Sequence, residues 1–202
     1  MAWLRSWRER SGRTARGPSA RDVRARRLVA CIECVLNQNA RDAGAARSPA
    51  MIREVIRLCG EHDVGLLQMP CPETAFLGLA RTRRKGESIR SALDTPDGRG
   101  CCAAISRDVA DRIERYTDAG YRVLAVLGGN PASPGCAVHE GPDGLLPSSG
   151  ILMQELEAEL RRRSIEIPFR GMRDHDPALL AEDLQWLSPV LSPREGDDGR
   201  HR

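Results

Sequence analysis

Leu28-Val29-Ala30-Cys31-Ile32-Glu33-Cys34-Val35-Leu36, followed at once by Asn37-Gln38-Asn39, is the stretch on which the reading of the fold turns. It is apolar and β-compatible throughout, broken only by Glu33. A short continuous apolar run that ends in turn chemistry predicts a strand covered on both faces, as strands of parallel sheets are. The segment that follows reads as a helix. Ser48-Pro49 offers an N-cap and a first-turn proline, Ile52, Val55, Ile56 and Cys59 recur at i, i+3, i+4 and i+7, and Gly60 closes the pattern. Leu66-Leu67-Gln68-Met69 is then a second strand, stopped by Pro70-Cys71-Pro72. The three pieces form a β-α-β unit with a right-handed crossover.

Further along, Glu73 to Leu79 reads as a short helix and Arg81 to Gly100 as a long polar loop. Ile105, Val109, Ile113 and Tyr116 mark a helix closed by Gly120, and Tyr121 to Leu127 is the clearest strand in the chain, broken by Gly128-Gly129-Asn130-Pro131. Ser149 is placed to cap a helix carrying Leu152, Met153, Leu156 and Leu160, Ile165 to Phe169 is a fourth strand, and Asp176-Pro177 opens a last helix with Leu180, Leu184 and Leu187. Strands alternating with helices predict a three-layer, Rossmann-like α/β fold, a mostly parallel sheet of about four strands with helices on both faces. Residues 27–190 form the domain, 1–26 a basic extension and 191–202 a polar tail. Ligands of such sheets bind beyond the carboxyl ends of the strands, near a topological switch point.

Composition agrees with one ordinary globular domain: 202 residues, 41% hydrophobic and 29% charged with both signs. Within a total formal charge of +3, residues 1 to 28 set nine arginines against Glu9 and Asp22. The first 26 residues have no period that could bury a face and read as disordered. Their functional alternative is a basic arm for the phosphates of RNA or of an anionic membrane, the one route by which nucleic acid enters as a partner. No apolar run approaches the roughly 20 residues that span a bilayer, and no leader precedes the domain, so the expected setting is the reducing cytoplasm.

Seven cysteines in such a setting point to metal or thiol chemistry rather than to disulfides. Cys31-Ile32-Glu33-Cys34 has C-x-x-C spelling, but a dithiol redox pair follows a strand at a helix start, whereas this pair is expected within the strand itself. Cys31 and Cys59 read as small buried hydrophobes, and Cys101-Cys102 are adjacent, a poor geometry for one shared metal. Cys34, Cys71 and Cys136 differ, because each stands at a strand end among residues that force the backbone out of regular structure. Strand-end amides can donate to a thiolate and stabilise its charge. The local C-x2-4-C spacing of a structural zinc site is absent. Three thiolates from separate strands suit an iron-sulfur cluster with one open iron. Three unrelated buried thiols remain the plain alternative.

Cys34-Val35-Leu36-Asn37-Gln38-Asn39, then Gln68-Met69-Pro70-Cys71-Pro72-Glu73, then Gly129-Asn130 with Ser133-Pro134-Gly135-Cys136, resemble in order and spacing the three signatures of the 2-thiouracil desulfidase-related family. The likeness covers about residues 27 to 170. It implies a 4Fe-4S cluster held by Cys34, Cys71 and Cys136, and a non-redox removal of sulfur from a small thiolated substrate such as a thiolated nucleobase. It also implies a catalytic serine at Ser133. Glu73 is expected to carry protons beside the second ligand; the ordinary reading of Ser133 is a turn residue bonding its own backbone. The family pattern has a carboxylate just upstream of the second cysteine where this chain has Gln68, which can orient a water but cannot take its proton. That difference points away from thiouracil itself. Asn37, Asn39 and Asn130 are expected to line the substrate pocket, while His139 reads as a turn histidine, with a hydrogen bond in the site or a place as a ligand as its alternative. Arg83, Arg84 and Lys85 read as a solvated loop, with a substrate anion as their alternative partner. The rivals to a desulfidase are a non-catalytic iron-sulfur or zinc protein that stores, senses or transfers sulfur, and a binding module whose cysteines are merely buried.

Overall fold

A computed structural model describes residues 22–193. Most of the basic extension and of the polar tail lies outside the described residues. Strand β1 (Arg27–Ile32) carries Val29, Ala30, Cys31 and Ile32 with no exposed surface. It is flanked by β2 (Gly65–Met69) on one side and β3 (Arg122–Gly128) on the other, and β6 (Phe169–Gly171) adds to β3. All three pairings are parallel, so the four-strand sheet has the order β2-β1-β3-β6. Two-residue strands β4 (Glu140–Gly141) and β5 (Gly144–Leu145) form a separate antiparallel hairpin.

The helices are α1 (Glu33–Leu36), α2 (Arg53–Glu61), α3 (Pro72–Leu77), α4 (Ile89–Leu93), α5 (Pro96–Asp118), α6 (Ile151–Arg162) and α7 (Pro177–Leu191). α2 packs against α7 and α5 against α6, with the sheet between the two layers. Right-handed crossovers produce this division: the chain steps one way from β1 to β2 and the other way from β2 to β3 and β6, so successive helices fall on opposite faces. The predicted three-layer parallel architecture is the observed one. The switch in direction lies between β1 and β3, and a crevice opens beyond their carboxyl ends.

Several boundaries differ from the sequence reading. The strand expected to reach Leu36 ends at Ile32, and Glu33–Leu36 is one helical turn. Cys31 and Cys34 therefore straddle the strand end rather than sharing the strand. The turn is held by the Glu33 carboxylate, whose Oε2 accepts the Cys71 amide at 2.9 Å and ties the ends of β1 and β2 together. The first crossover helix starts at Arg53, because residues 50–52 are engaged beforehand: Gln38 N–H donates to Ala50 O and Ile52 N–H to Val35 O.

The stretch expected as a loop to Gly100 contains α4 and the first turn of the 23-residue α5. Thr95 caps α5 by accepting from Gly98 N–H at 3.1 Å, and Pro96 sits in its first turn. Gly98 is needed there, since a Cβ would stand 2.6 Å from the Ala92 and Leu93 carbonyl oxygens. A signal for close helix contact thus looked like turn chemistry.

Of the expected strand Ile165–Phe169 only Phe169 pairs in register; Pro168 has no N–H to give, though its carbonyl accepts from Val126 N–H at 2.9 Å. Ser149 does not cap α6. Gly150 holds the N-cap position, and Ser149 Oγ exchanges hydrogen bonds with His139. α7 runs through Leu191, which is fully buried.

Candidate functional site

The carboxyl ends of β1, β2 and β3 each deliver one cysteine to a single cavity of about 350 Å3. Cys34 comes from the turn after β1, Cys71 from the N-cap of α3 after β2, and Cys136 from the loop after β3. All three are buried and all seven cysteines are free. Cys31, Cys59, Cys101 and Cys102 do not line this cavity. Burial pushes the Cys31 thiol up to about 12 and the Cys59 thiol up to about 11, which suits inert core residues.

Close backbone approach builds the third cysteine's position. Gly129 N–H donates to Cys136 O at 2.8 Å, and a Cβ on Gly129 would meet Cys136 Sγ at 2.6 Å. The first amides of α6 take up the loop's carbonyls, Ile151 N–H to Pro134 O and Leu152 N–H to Gly135 O, at 3.1 and 2.9 Å. Ser133 Oγ lies 3.0 Å from Cys136 Sγ, donates to Glu73 Oε1 at 3.2 Å and accepts the Cys136 amide at 3.2 Å. Ser133 is thus both a turn residue and a cavity residue. Glu73 is buried, and its other oxygen pairs with Arg81 Nε at 3.3 Å.

The surroundings contain residues that sequence patterns did not single out. Arg81, 1% exposed, also donates to Ala40 O at 2.6 Å and reaches Cys71 Sγ at 3.6 Å. Arg41 lines the cavity with Cys34, opposes the effect of burial on its thiol, and pairs with Asp174 at 2.8 Å. Gln38, 1% exposed, donates to Cys34 O at 2.8 Å and to Asp174 Oδ2 at 3.2 Å, and accepts the Arg47 amide at 2.9 Å. Asp174 follows β6, so all four parallel strands contribute to the site. Arg41, Asp42, Ala45 and Arg47 form one wall of the cavity.

Burial raises the Cys34 thiol above the ordinary range against the pull of Arg41, and raises Cys136 well above it, with Cys34 and Cys71 nearby adding to the effect. The strand-end amides expected to donate to sulfur are engaged elsewhere. Cys71 N–H goes to Glu33 and Cys136 N–H to Ser133 Oγ. The Arg81 guanidinium reaches the Cys71 sulfur in their place, and Arg41 stands in the same cavity as Cys34.

Other expected site residues fall on both sides of this boundary. Asn130 lines the cavity, its side chain accepting from Ala132 N–H. Asn37 and Asn39 are exposed and bonded to each other at 2.9 Å, outside the cavity; Gln38 between them is buried in the protein and does not line the cavity either. Gln68 is exposed on β2, paired in register with Cys31, and does not line the cavity. His139 Nε2 donates to Pro131 O at 3.0 Å, and Arg83 bonds the carbonyls of Arg81 and Glu87; neither lines the cavity. Among the described residues no three His, Cys, Asp or Glu side chains converge closely enough to hold a single metal ion, and no helix is long and apolar enough to cross a membrane.

No family model matches the chain, and no solved structure matches it. It is similar to an uncharacterized protein of Methanocaldococcus jannaschii, 25% identical over 145 residues that cover 72% of this chain and 85% of that relative.

Proposed function

We propose that this protein is an iron-sulfur-dependent desulfidase, holding a 4Fe-4S cluster by Cys34, Cys71 and Cys136 and removing sulfur from a small thiolated compound such as a thiolated nucleobase. The observation that carries the reading is the meeting of these three cysteines with the Ser133–Glu73 pair in one cavity. The donor set fits the group. Thiolates are the usual protein ligands of such clusters, and a cluster takes each at a different iron, so its ligands need not converge on one point. Gly129 leaves the space beside Cys136 Sγ that any side chain would fill.

When bound, the cluster would supply an open, soft Lewis-acidic position for a thiocarbonyl sulfur. The protein's own groups account for the rest. Water replaces sulfur on carbon and sulfide leaves, so no electrons are exchanged. Ser133 Oγ, at 3.2 Å from Glu73 Oε1, passes a proton between the cavity and the carboxylate. Arg81 holds Oε2, which leaves Oε1 as the atom that exchanges protons with Ser133.

Anaerobic purification and reconstitution, followed by iron and sulfide analysis, tests the reading. About four irons per chain and sulfide release from thioamides or thiolated nucleobases are expected. Cys34→Ser, Cys71→Ser and Cys136→Ser each abolish the cluster, while Cys31→Ser and Cys59→Ser do not. A protein that stays colourless and iron-free sinks the proposal. Cluster without turnover on any thiolated compound favours sulfur storage or transfer, and one zinc per chain a zinc protein.

A further inference from the structure

Two sulfurs in the cavity have a side-chain hydrogen-bond neighbour, Arg81 at 3.6 Å from Cys71 Sγ and Ser133 at 3.0 Å from Cys136 Sγ, and Arg41 lines the same cavity as Cys34. The two arginines are costly choices. A guanidinium removed from water loses several kcal/mol of hydration unless paired. Arg81 meets this with Glu73 at 3.3 Å and with the carbonyls of Ala40 and Gly78 at 2.6 and 2.9 Å. Arg41 meets it with Asp174 at 2.8 Å and with Ala45 O at 3.1 Å. One carboxylate balances each cation, while Arg81 still reaches a sulfur and Arg41 still lines the cavity that holds Cys34. A neutral thiol is a weak acceptor, whereas a thiolate accepts a charge-assisted bond. Donors placed in this way serve the ionised, ligand form of the cysteine.

On the reading that a cluster occupies the cavity, we infer that Arg41 and Arg81 are positioning residues that donate to the ligand sulfurs of Cys34 and Cys71 and thereby set the electron affinity of the centre. Neither is conspicuous in the sequence. Arg41 lies seven residues after its cysteine and Arg81 ten after its own, in segments that read as loops. The effect has a sign. A bond donated to a ligand sulfur favours the more negative, reduced state, so removing it lowers the potential.

The test is the midpoint potential of the reconstituted full-length protein, read by optical or electron-paramagnetic-resonance titration. Two variants serve: Arg81→Met, and the double variant Arg41→Met/Asp174→Leu, which removes the carboxylate that Arg41 would leave unpaired. Each is expected to shift the reduced-to-oxidised ratio at fixed potential at least tenfold toward oxidised, a fall of about 59 mV for a one-electron couple. Unchanged potentials in both variants at full iron content overturn the inference.

Should a variant fail to fold, wild-type protein grown with 15N-arginine decides. Electron-spin-echo modulation from arginine nitrogen in the reduced centre supports the assignment, and its absence overturns it. A wild-type chain that binds no cluster overturns the proposed function itself, whereas a loaded chain without arginine coupling overturns only this inference.

Discussion

The Arg41–Asp174 pair joins the last strand of the sheet to the first cysteine, and its removal gives a worked measure of how the site is braced. The two side chains are 7% and 5% exposed and 2.8 Å apart. Asp174 also accepts from Gln38, whose amide in turn donates to Cys34 O. Removing one member of a buried pair costs about 3–5 kcal/mol, because the other charge stays in the interior without a partner. Arg41→Met and Asp174→Leu are each expected to lose that amount. At about 2–4 °C per kcal/mol for a domain of this size, the melting temperature falls by roughly 6–20 °C. Arg41→Met/Asp174→Leu leaves no unpaired charge and should recover most of the loss, since exchanging a whole buried pair for apolar groups is often close to neutral. The assay is urea unfolding of wild type, both single variants and the double variant, with linear extrapolation. A coupling energy of at least about 2 kcal/mol is expected, and single costs that simply add, within about 0.5 kcal/mol, refute the reasoning.

Three further outcomes follow from particular contacts. Gly129→Ala places a Cβ 2.6 Å from Cys136 Sγ, so iron bound on reconstitution should fall well below the wild-type value while the far-ultraviolet circular dichroism of the folded chain is retained; full loading would show the close approach to be unimportant. Thr95→Ala removes the cap on Gly98 N–H and should cost about 1 kcal/mol in urea unfolding, with no change at the cavity. In the metal-free protein Cys31 ionises near pH 12 when folded and nearer its ordinary 9 when unfolded. The unfolded chain therefore releases this proton first, and the contribution to stability is fully present below pH 9 and lost as pH rises toward 12, at up to about 1.4 kcal/mol per pH unit. Cys31→Ala should flatten that alkaline fall relative to wild type, and equal slopes in the two proteins would count against a buried Cys31.

The parallel sheet was legible because β1 and β3 are buried on both faces and have little freedom in composition. The grouping of Cys34, Cys71 and Cys136 was legible for a related reason. Parallel strands all end at one edge, so residues just beyond them are brought together whatever their separation in the chain. Element starts were less legible. Thr95-Pro96-Asp97-Gly98 opens a helix with the same residues that make a turn, and only the proximity of the Ala92 and Leu93 carbonyls distinguishes the two.

Side-chain direction within the turns was not legible at all. Asn37 and Asn39 stood out beside Cys34, but the short 3-10 turn at Gln38–Ala40 points Gln38 inward and leaves the asparagines outside. Gln68, one residue before Met69 on the same strand, lies on the exposed side by simple alternation. Glu33 looked like an interruption of a strand and proved to hold the amide of Cys71.

From sequence alone came the order of the four parallel strands and of the longer helices, the sheet they make, and three cysteines at matching strand ends, because hydrophobic periodicity and turn residues are local properties. Only the tertiary structure decided what stands around those sulfurs. Arg41, Arg81, Gln38 and Asp174 acquire their partners from segments as far as 136 residues apart, and a charged side chain has no meaning in a site until folding brings it a neighbour and takes away its water.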